Sequence, residues 1–269
     1  MGGYTVKLNL LTDAIGSILD QRGDRTPKGV FVGFSGDAHV AQAASMVAFG
    51  NFGLVKSMQR QLSAFDSVYG TYCMYWVLSL WDYFVATHDT PFVRAMLFAA
   101  DRKMRRSYNR AFKPLPPAPK RHTMRYAGWD ERFNFAQLTA KGDFYPENNY
   151  IMRALYVRAS KKMAALADAV GNFSLAASYR AEAETMATRI RSGAGGDTPG
   201  DEWWRPFGLH ASAHAVNAGL VNETEAPLVF ASRFNDSGKV MQCFVLKCRC
   251  EGSYFAFEYF FWLNDRSSV

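Results

Sequence analysis

Residues 151–191 read IMRALYVRASKKMAALADAVGNFSLAASYRAEAETMATRIR, and the class of fold follows from this stretch. Alanine and larger apolar residues recur at helical spacing on both sides of Gly171-Asn172, a pair typical of turns. The pattern predicts one helix over 151–170 and a second over 174–191. A short connection between two such helices makes a helical hairpin.

The same helix, turn, helix pattern recurs on both sides of this stretch. Apolar spacing over 38–62 predicts two helices broken at 50–53, and 72–87 carries aromatic and aliphatic residues on nearly every face, as in a buried helix. Asp89-Thr90-Pro91 supplies a cap and a first-turn proline for a helix to about Phe112. Further helices are predicted over 210–219 and 223–234. We therefore expect an all-α protein built of helical hairpins. Such hairpins arranged in a ring make an (α/α)6 toroid.

One domain covering 1–269 accommodates all of these elements. Residues 4–19 predict a short strand or extended piece that leads into a helical turn. Residues 113–125 are proline-rich and basic, and 114–119 cannot be helical because each proline removes a backbone donor and restricts the residue before it. We interpret 113–125 as a loop insertion, because the helical pattern resumes after it. After Asp236 the pattern is irregular.

The formal net charge of +7 comes largely from one window of the chain. Only Asp101 opposes the cations there, and no aromatic interleaving accompanies them, so we interpret the window as a solvated helix end and linker and expect no nucleic-acid partner. The cations are Arg102, Lys103, Arg105, Arg106, Arg110, Lys113, Lys120, Arg121 and Arg125.

The cysteines and the first residues of the chain narrow the classes of protein to which the chain could belong. The spacing of Cys73, Cys243, Cys248 and Cys250 forms no disulfide framework or paired zinc motif, so we expect neither a metal nor another cofactor. The beginning of the chain has no apolar targeting segment, and no stretch approaches the roughly 20 apolar residues of a membrane span. Sequons for N-glycosylation begin at three asparagines, which would fit a secretory route: Asn172, Asn222 and Asn235.

The most polar stretch of the chain leads into the first predicted helix. It contains Asp20-Gln21-Arg22-Gly23-Asp24-Arg25 and then Gly36-Asp37-Ala38-His39. Loops that join packed helices often carry chemistry, because the scaffold holds them while they present charge to a cleft. Asp37 has a second interpretation, in which its carboxylate caps the helix that follows. The residues alone leave both roles open.

A second polar stretch reads Gly128-Trp129-Asp130-Glu131-Arg132. Glu131 is a candidate acid or base, and Arg132 would keep a neighbouring carboxylate ionised; alternatively the two form a pair that stabilises a loop. Trp129 is either a sugar platform or part of the core. His210 and His214 lie one helical turn apart, and we interpret His210 as a hydrogen-bonding residue and His214 as structural.

Six segments of the chain, taken in order, resemble the catalytic barrel of α-L-rhamnosidases, glycoside hydrolase family 78, in the six-hairpin glycosidase superfamily. The resemblance extends to about Asp236 and implies an enzyme that releases terminal α-L-rhamnosyl residues by inversion, with an extracellular location. The segments are residues 8–16 (LNLLTDAIG), 23–25 (GDR), 36–39 (GDAH), 48–51 (AFGN), 128–132 (GWDER) and 208–213 (GLHASA).

The resemblance also implies roles for individual residues. Asp24, followed by Arg25, stands where the family has its general acid, and Glu131 is an alternative acid or base. Substrate-binding roles fall to the residues around them: Arg25, Asp37, Trp129, Asp130, Arg132 and His210. Within this set, Trp129 would stack on the sugar, and Asp37 and Asp130 would bind its hydroxyl groups.

The sequence departs from the family pattern in two places. Residues 26–34 are longer than the family's spacing and end in Phe34 where the family has tryptophan. The family's general base is a glutamate near the C-terminal end, and only Glu251 and Glu258 lie there, in a different context. These departures support an alternative hypothesis, a catalytically inactive six-hairpin barrel that binds carbohydrate or a protein partner. The aglycone, the base and the oligomeric state stay open.

Overall fold

The computed structural model describes residues 35–64, 66, 70–112, 146–192, 203–204, 207 and 209–233. Within these ranges the regular structure is entirely helical. The eight helices found there are α1 (Ser35–Phe49), α2 (Phe52–Ser63), α3 (Gly70–Thr87), α4 (Thr90–Phe112), α5 (Pro146–Ala169), α6 (Phe173–Arg191), α7 (Leu209–Asn217) and α8 (Ala226–Arg233). None of the helices in this part of the chain is long and apolar enough to cross a membrane.

The helices form two layers. The odd-numbered helices pack side by side in chain order, α1 on α3, α3 on α5 and α5 on α7, and together they are called the odd layer below. The even-numbered helices cover it: α2 contacts α1 and α3, α4 contacts α3 and α5, α6 packs on α5, and α8 packs on α7. Each hairpin thus contributes one helix to each layer. The all-α fold predicted from the sequence is confirmed for the described residues.

Contacts between α1 and α3 show that these two helices run in the same direction. Near the beginning of both helices, Gly36 lies against the ring of Tyr72. Further along, the side chains of Gln42 and Ser79 are hydrogen-bonded. Because both contact positions advance towards the C-terminal ends, α1 and α3 are parallel neighbours.

Helix α4 runs antiparallel to α3. The rings of Tyr83 and Phe92 meet edge to face with centroids 5.4 Å apart, at the end of α3 and the beginning of α4. At the opposite end, Ser107 Oγ donates a hydrogen bond to the Gly70 carbonyl at 2.9 Å. The turn between the two helices contains His88 in the left-handed region, at φ 52°.

Helix α4 is also antiparallel to α5. Tyr108 near the end of α4 contacts Tyr156 in the first half of α5, with ring centroids 5.6 Å apart. Arg94 near the beginning of α4 reaches the carbonyl of Val170, just past the end of α5, at 3.5 Å. Since α3 and α5 both oppose α4, they run in the same direction as each other.

The last pair of odd-layer helices repeats this arrangement. Tyr150 contacts Phe207, just before α7, with ring centroids 4.3 Å apart, and Lys161 Nζ donates to the carbonyl of Ala218, just after α7, at 2.7 Å. Helices α5 and α7 are therefore parallel. All four odd-layer helices begin at the same end of the layer, which is called the entry face below and is formed by their first residues: Ser35, Gly70, Pro146 and Leu209.

The observed helix limits agree with the sequence pattern and refine it. The break between α1 and α2 falls at Gly50-Asn51, inside the predicted 50–53. Helix α5 begins earlier than predicted, at Pro146, where a proline fits a first helical turn. Helix α8 begins later than predicted, because Asn222 Oδ1 accepts hydrogen bonds from Glu225 N–H and Thr224 Oγ1, each at 2.8 Å, and so folds a turn ahead of the helix.

The turn between α5 and α6 shows why the central hairpin of the sequence folds as predicted. Gly171 adopts φ 82°, a conformation that glycine reaches without steric cost, and its N–H donates to the carbonyl of Asp168 at 2.9 Å. Asn172 Oδ1 then accepts from Leu175 N–H at 3.2 Å and caps α6. These two residues end one helix and begin the next.

Helix α3 is the centre of the core. Every residue from Gly70 to Leu80 is buried, which confirms the buried helix expected over 72–87 for its first part, whereas Val85 and Ala86 near its end are exposed. The loop insertion predicted at 113–125, the extended piece predicted at 4–19 and all residues after 233 fall outside the described residues.

Candidate functional site

Two of the predicted site residues belong to helices of the odd layer. Asp37 is the third residue of α1, and His210 is the second residue of α7, so the backbone of both lies at the entry face. Their side chains are outside what the structure describes. The remaining predicted residues also fall outside it and precede α1 or α5 along the chain: Asp24, Arg25, Trp129, Asp130, Glu131 and Arg132.

The structure constrains the interpretation of Asp37 as a cap of the helix that follows it. Helix α1 already includes Ser35 and Gly36, so Asp37 lies within the helix and is not the residue that precedes it.

His39, one half-turn further along α1, forms a buried contact with α3. Its side chain is 7% exposed, and Nε2 donates to Asp82 Oδ2 at 2.9 Å. The imidazole also stacks on Tyr75, with ring centroids 5.5 Å apart and planes inclined by 29°. Nδ1 is buried and has no hydrogen-bond partner among the described residues. The imidazole thus links α1 to α3 through one hydrogen bond and one ring contact.

Gln42 continues the polar contact one turn further along α1. Its Oε1 accepts hydrogen bonds from Gln59 Nε2 of α2, at 2.7 Å, and from Ser79 Oγ of α3. All three side chains are buried. A single amide oxygen on α1 thus joins the first three helices.

Gly36 allows the beginning of α1 to approach α3 closely. A Cβ atom at this position would lie 2.6 Å from Cε1 of Tyr72, well inside van der Waals contact. A side chain here would therefore have to displace the Tyr72 ring or α1, whereas glycine lets the backbone lie against the ring.

The described histidines give no indication of a metal centre. His214 lies in the last turn of α7 and is buried, as expected for a structural residue. Within the part of the chain that the structure describes, no group of three or more histidine, cysteine, aspartate or glutamate side chains could hold a metal ion.

Glu225 is the most densely hydrogen-bonded carboxylate of the described residues, and its partners explain it structurally. It accepts from Arg191 at 2.8 and 3.0 Å, from Trp203 Nε1 at 2.9 Å and from Asn222 N–H at 2.9 Å. Burial acts to raise the pKa of Glu225, but the hydrogen bonds outweigh it and leave the pKa below its usual value. The cluster ties the end of α6 to the turn before α8.

The basic window on α4 is less exposed than its sequence suggested. Lys103 is fully buried, with Nζ 5.2 Å from the centre of the Trp76 ring and 3.8 Å from Asp66 Oδ1, and burial lowers its pKa. Arg102 and Arg106 approach the same carboxylate, at 3.6 and 3.1 Å. The interpretation of this window as a solvated helix end was therefore wrong for Lys103, because its side chain lies on the face of α4 that packs against the core.

Reasoning from the sequence missed the contacts that hold α1. Asp82 lies inside a stretch interpreted as a uniformly buried helix, and a carboxylate in such a helix signals a polar partner. Gln42 and Gln59 carried a weaker signal, since polar residues on otherwise apolar helix faces are common. No spacing rule links any of these residues to one another, because they belong to three helices.

Comparison with known proteins gave no match: no family model, curated protein or solved structure is significantly similar to the chain.

Proposed function

We propose that the chain is a glycoside hydrolase of the six-hairpin type that releases terminal α-L-rhamnosyl residues by inversion, with its hairpins closed into an (α/α)6 toroid. The observation that carries the proposal is the common direction of the odd-layer helices. Every residue to which the resemblance gives a role lies in α1, in α7 or in the segments that lead into α1 and α5. Because these helices are parallel, α1, α5 and α7 begin on one face, where the leading segments join them.

The layered hairpins support the toroidal part of the proposal. Four successive hairpins place one helix each in the odd layer and one in the cover, and the odd-layer helices are neighbours in chain order. In the proposed toroid, further hairpins of this kind would close the layer into a ring, with the even-numbered helices outside and the beginnings of the odd-numbered helices around one opening. Loops at such an opening are suited to enclose a sugar.

Inversion requires two carboxyl groups on opposite sides of the sugar, about 6.5–9.5 Å apart. In the proposal, Asp24 protonates the glycosidic oxygen as its bond to the anomeric carbon breaks. A water molecule attacks the opposite face of that carbon and gives its proton to the base, for which Glu131 is the candidate within the resembling segments. The products are free rhamnose of inverted configuration and the aglycone alcohol.

The other residues would recognise the sugar. Asp37 and Asp130 accept hydrogen bonds from its hydroxyl groups, and Trp129 stacks against its apolar face. Arg25 and Arg132 favour the ionised forms of neighbouring carboxylates. His210, at the beginning of α7, donates a hydrogen bond to the sugar or to a loop carbonyl.

Hydrolysis of synthetic rhamnosides by the purified chain tests the proposal. Asp24→Asn should lower kcat by about 10²–10⁴-fold on an alkyl α-L-rhamnoside, the usual contribution of general acid catalysis. The loss should be much smaller on a nitrophenyl α-L-rhamnoside, because that leaving group departs without protonation. Asp37→Asn should instead lower kcat/KM on both substrates to a similar extent.

Asp168→Asn is the matched control. Asp168 is an α5 carboxylate that pairs with Arg180 at the surface, and its substitution should leave hydrolysis unchanged. Undiminished activity in both Asp24→Asn and Asp37→Asn would rule out this site.

A second function, carbohydrate binding without turnover, is favoured by one observation in the sequence. No glutamate in the family's context follows residue 233, where the family has its base. Calorimetric titration with rhamnose distinguishes the two functions. Heat of binding in a protein that hydrolyses neither rhamnoside supports the binding module, and absence of binding excludes it.

A further inference from the structure

The contact of α1 with its neighbours contains a cluster of largely buried polar side chains beside its apolar core residues, Ala38 and Met46. Five side chains form the cluster, and together they are called the polar seam: His39, Gln42, Gln59, Ser79 and Asp82. The Nε2–Oδ2 distance between His39 and Asp82 is 2.9 Å, and the Nε2–Oε1 distance between Gln59 and Gln42 is 2.7 Å. Ser79 supplies the second hydrogen bond to Gln42.

The polar seam does not maximise stability. Three of its buried atoms have no hydrogen-bond partner among the described residues: His39 Nδ1, Gln42 Nε2 and Gln59 Oε1. An unsatisfied buried polar group costs about 1–3 kcal/mol, and well-packed apolar side chains in place of buried polar groups are often neutral or stabilising. The free energy of folding alone therefore does not account for these five residues.

What the polar seam does specify is the position of α1 along its own axis. Sliding α1 by one turn, about 5.4 Å, would separate His39 from Asp82 and Gln42 from Ser79, leaving several buried groups unpaired. The same movement would also carry Gly36 away from Tyr72 and bring a residue with a Cβ atom against that ring. Apolar side chains at these positions would tolerate neighbouring registers far better.

We infer that the polar seam is a positioning device that sets the register of α1 and thereby fixes Asp37 at the entry face. His39 is two residues from Asp37 on the same helix, so a register error of α1 displaces both by the same amount. This inference rests on the proposed function for the role of Asp37 towards the sugar. His39 and Asp82 are positioning residues, since their contact is enclosed between α1 and α3.

The decisive experiment replaces the hydrogen bonds between Gln42, Gln59 and Ser79 by apolar contacts, and the contact of His39 with Asp82 is tested separately by the single variants below. A triple variant, Gln42→Leu, Gln59→Leu and Ser79→Ala, should keep or raise the midpoint of thermal unfolding. Methyl NMR with labelled alanine should then show more than one signal for Ala38 and Ala43 of α1, in slow or intermediate exchange. The alanines of α5 and α6, Ala154 and Ala176 among them, should keep single signals. Single, sharp signals from α1 in a stable triple variant would overturn the inference.

Two single variants keep the inference testable if the triple variant does not fold. His39→Leu should multiply the α1 signals, whereas His39→Gln should restore one set, because its Nε2 amide can donate to Asp82 as the imidazole does. Equal spectra for His39→Leu and His39→Gln would contradict a positioning role. Ser107→Ala is the control, since it removes a buried hydrogen bond between α4 and α3 without touching α1.

Measurements of sugar binding test the inference separately from the NMR spectra. If only about a tenth of the molecules hold α1 in the correct register, the dissociation constant for rhamnose and the KM for a rhamnoside rise about tenfold, while kcat at saturation is unchanged. A purely structural role would lower the unfolding midpoint and leave KM as it was. Failure of the wild-type chain to bind or hydrolyse rhamnosides would count against the proposed function, whereas the NMR result tests the register of α1 by itself.

Discussion

The two sides of helix α3 pack by different means. Towards α4, apolar contacts prevail, with Tyr83 edge to face against Phe92 and the Trp76 ring under Lys103. Towards α1, the side chains of Tyr75, Ser79 and Asp82 form hydrogen bonds or ring contacts with polar residues. Apolar burial stabilises in proportion to area and tolerates small displacements, whereas hydrogen bonds require particular atoms to meet. The first side supplies stability, and the second defines where α1 sits.

The largest effect should come from the apolar side. Trp76→Ala removes a fully buried indole whose Nε1 donates to the Gln59 carbonyl at 3.2 Å. The free energy of unfolding should fall by about 3–5 kcal/mol, the usual cost of such a truncation. Urea denaturation followed by circular dichroism measures it. A loss of about 0.5 kcal/mol or less, the usual range for surface substitutions, would show that this side is not the main source of stability.

Substitution of Glu225 tests a polar cluster that stabilises the folded protein. Glu225→Gln keeps the shape but weakens the contact with Arg191, and about 1–3 kcal/mol should be lost at pH 7. The folded-state pKa lies below the unfolded value of 4.5, so the carboxylate's contribution is complete above pH 4.5 and is lost as the pH falls through the folded-state pKa. Urea denaturation at pH 7 and at pH 4 should therefore show a larger acid loss in wild type than in Glu225→Gln. Equal losses would contradict the assignment.

Gly36 tests how closely α1 must approach α3. In Gly36→Ala, the new Cβ atom meets the Tyr72 ring, and displacement of the ring or of α1 should cost about 1–3 kcal/mol. Gly53→Ala is the matched control, because no atom lies within 4 Å of a Cβ at that position of α2 and the substitution favours a helix. Thermal unfolding should separate the two variants, with only Gly36→Ala destabilised. The reverse order would be incompatible with the close contact.

The smallest effect concerns the beginning of a covering helix. Asn172→Ala removes the side chain that accepts from Leu175 N–H, and the loss of this cap should cost about 1 kcal/mol. Asn172→Asp keeps an accepting oxygen and should cost less. Chemical denaturation at matched pH compares them. A change in rhamnoside hydrolysis in either variant would contradict the expectation that the covering helices do not affect the site at the entry face.

Most of the helices followed from the sequence because their signals are local. Gly171-Asn172 ends α5 and caps α6, and Asp89 accepts from Phe92 N–H at 3.1 Å at the beginning of α4. Lys56 donates to the Asp89 carboxylate and lowers its pKa, so this cap also carries a tertiary contact that spacing could not indicate. Segments interpreted by residue composition alone, such as the basic window, were predicted less well. Lys103 shows this, since its burial depends on how α4 turns on α3.

The candidate site, too, has one part that the sequence indicated and one part that only the structure revealed. The polar residues around Asp24, Asp37 and Trp129 stand out in the sequence as loops rich in carboxylates, arginines and an indole, and their roles are a prediction from resemblance. The contacts of His39 with Asp82 and of Gln42 with Gln59 and Ser79 emerged only when three helices were brought together.

By itself, the amino-acid sequence determined the helices, their turns and the alternation of buried and amphipathic segments, because capping, glycine conformation and apolar spacing act over a few residues. The tertiary structure alone decided that the odd-layer helices run in one direction, that Lys103 is buried and that α1 is held by polar contacts. Those properties depend on which faces of separate helices meet, and the spacing of residues along the chain does not indicate which faces these are.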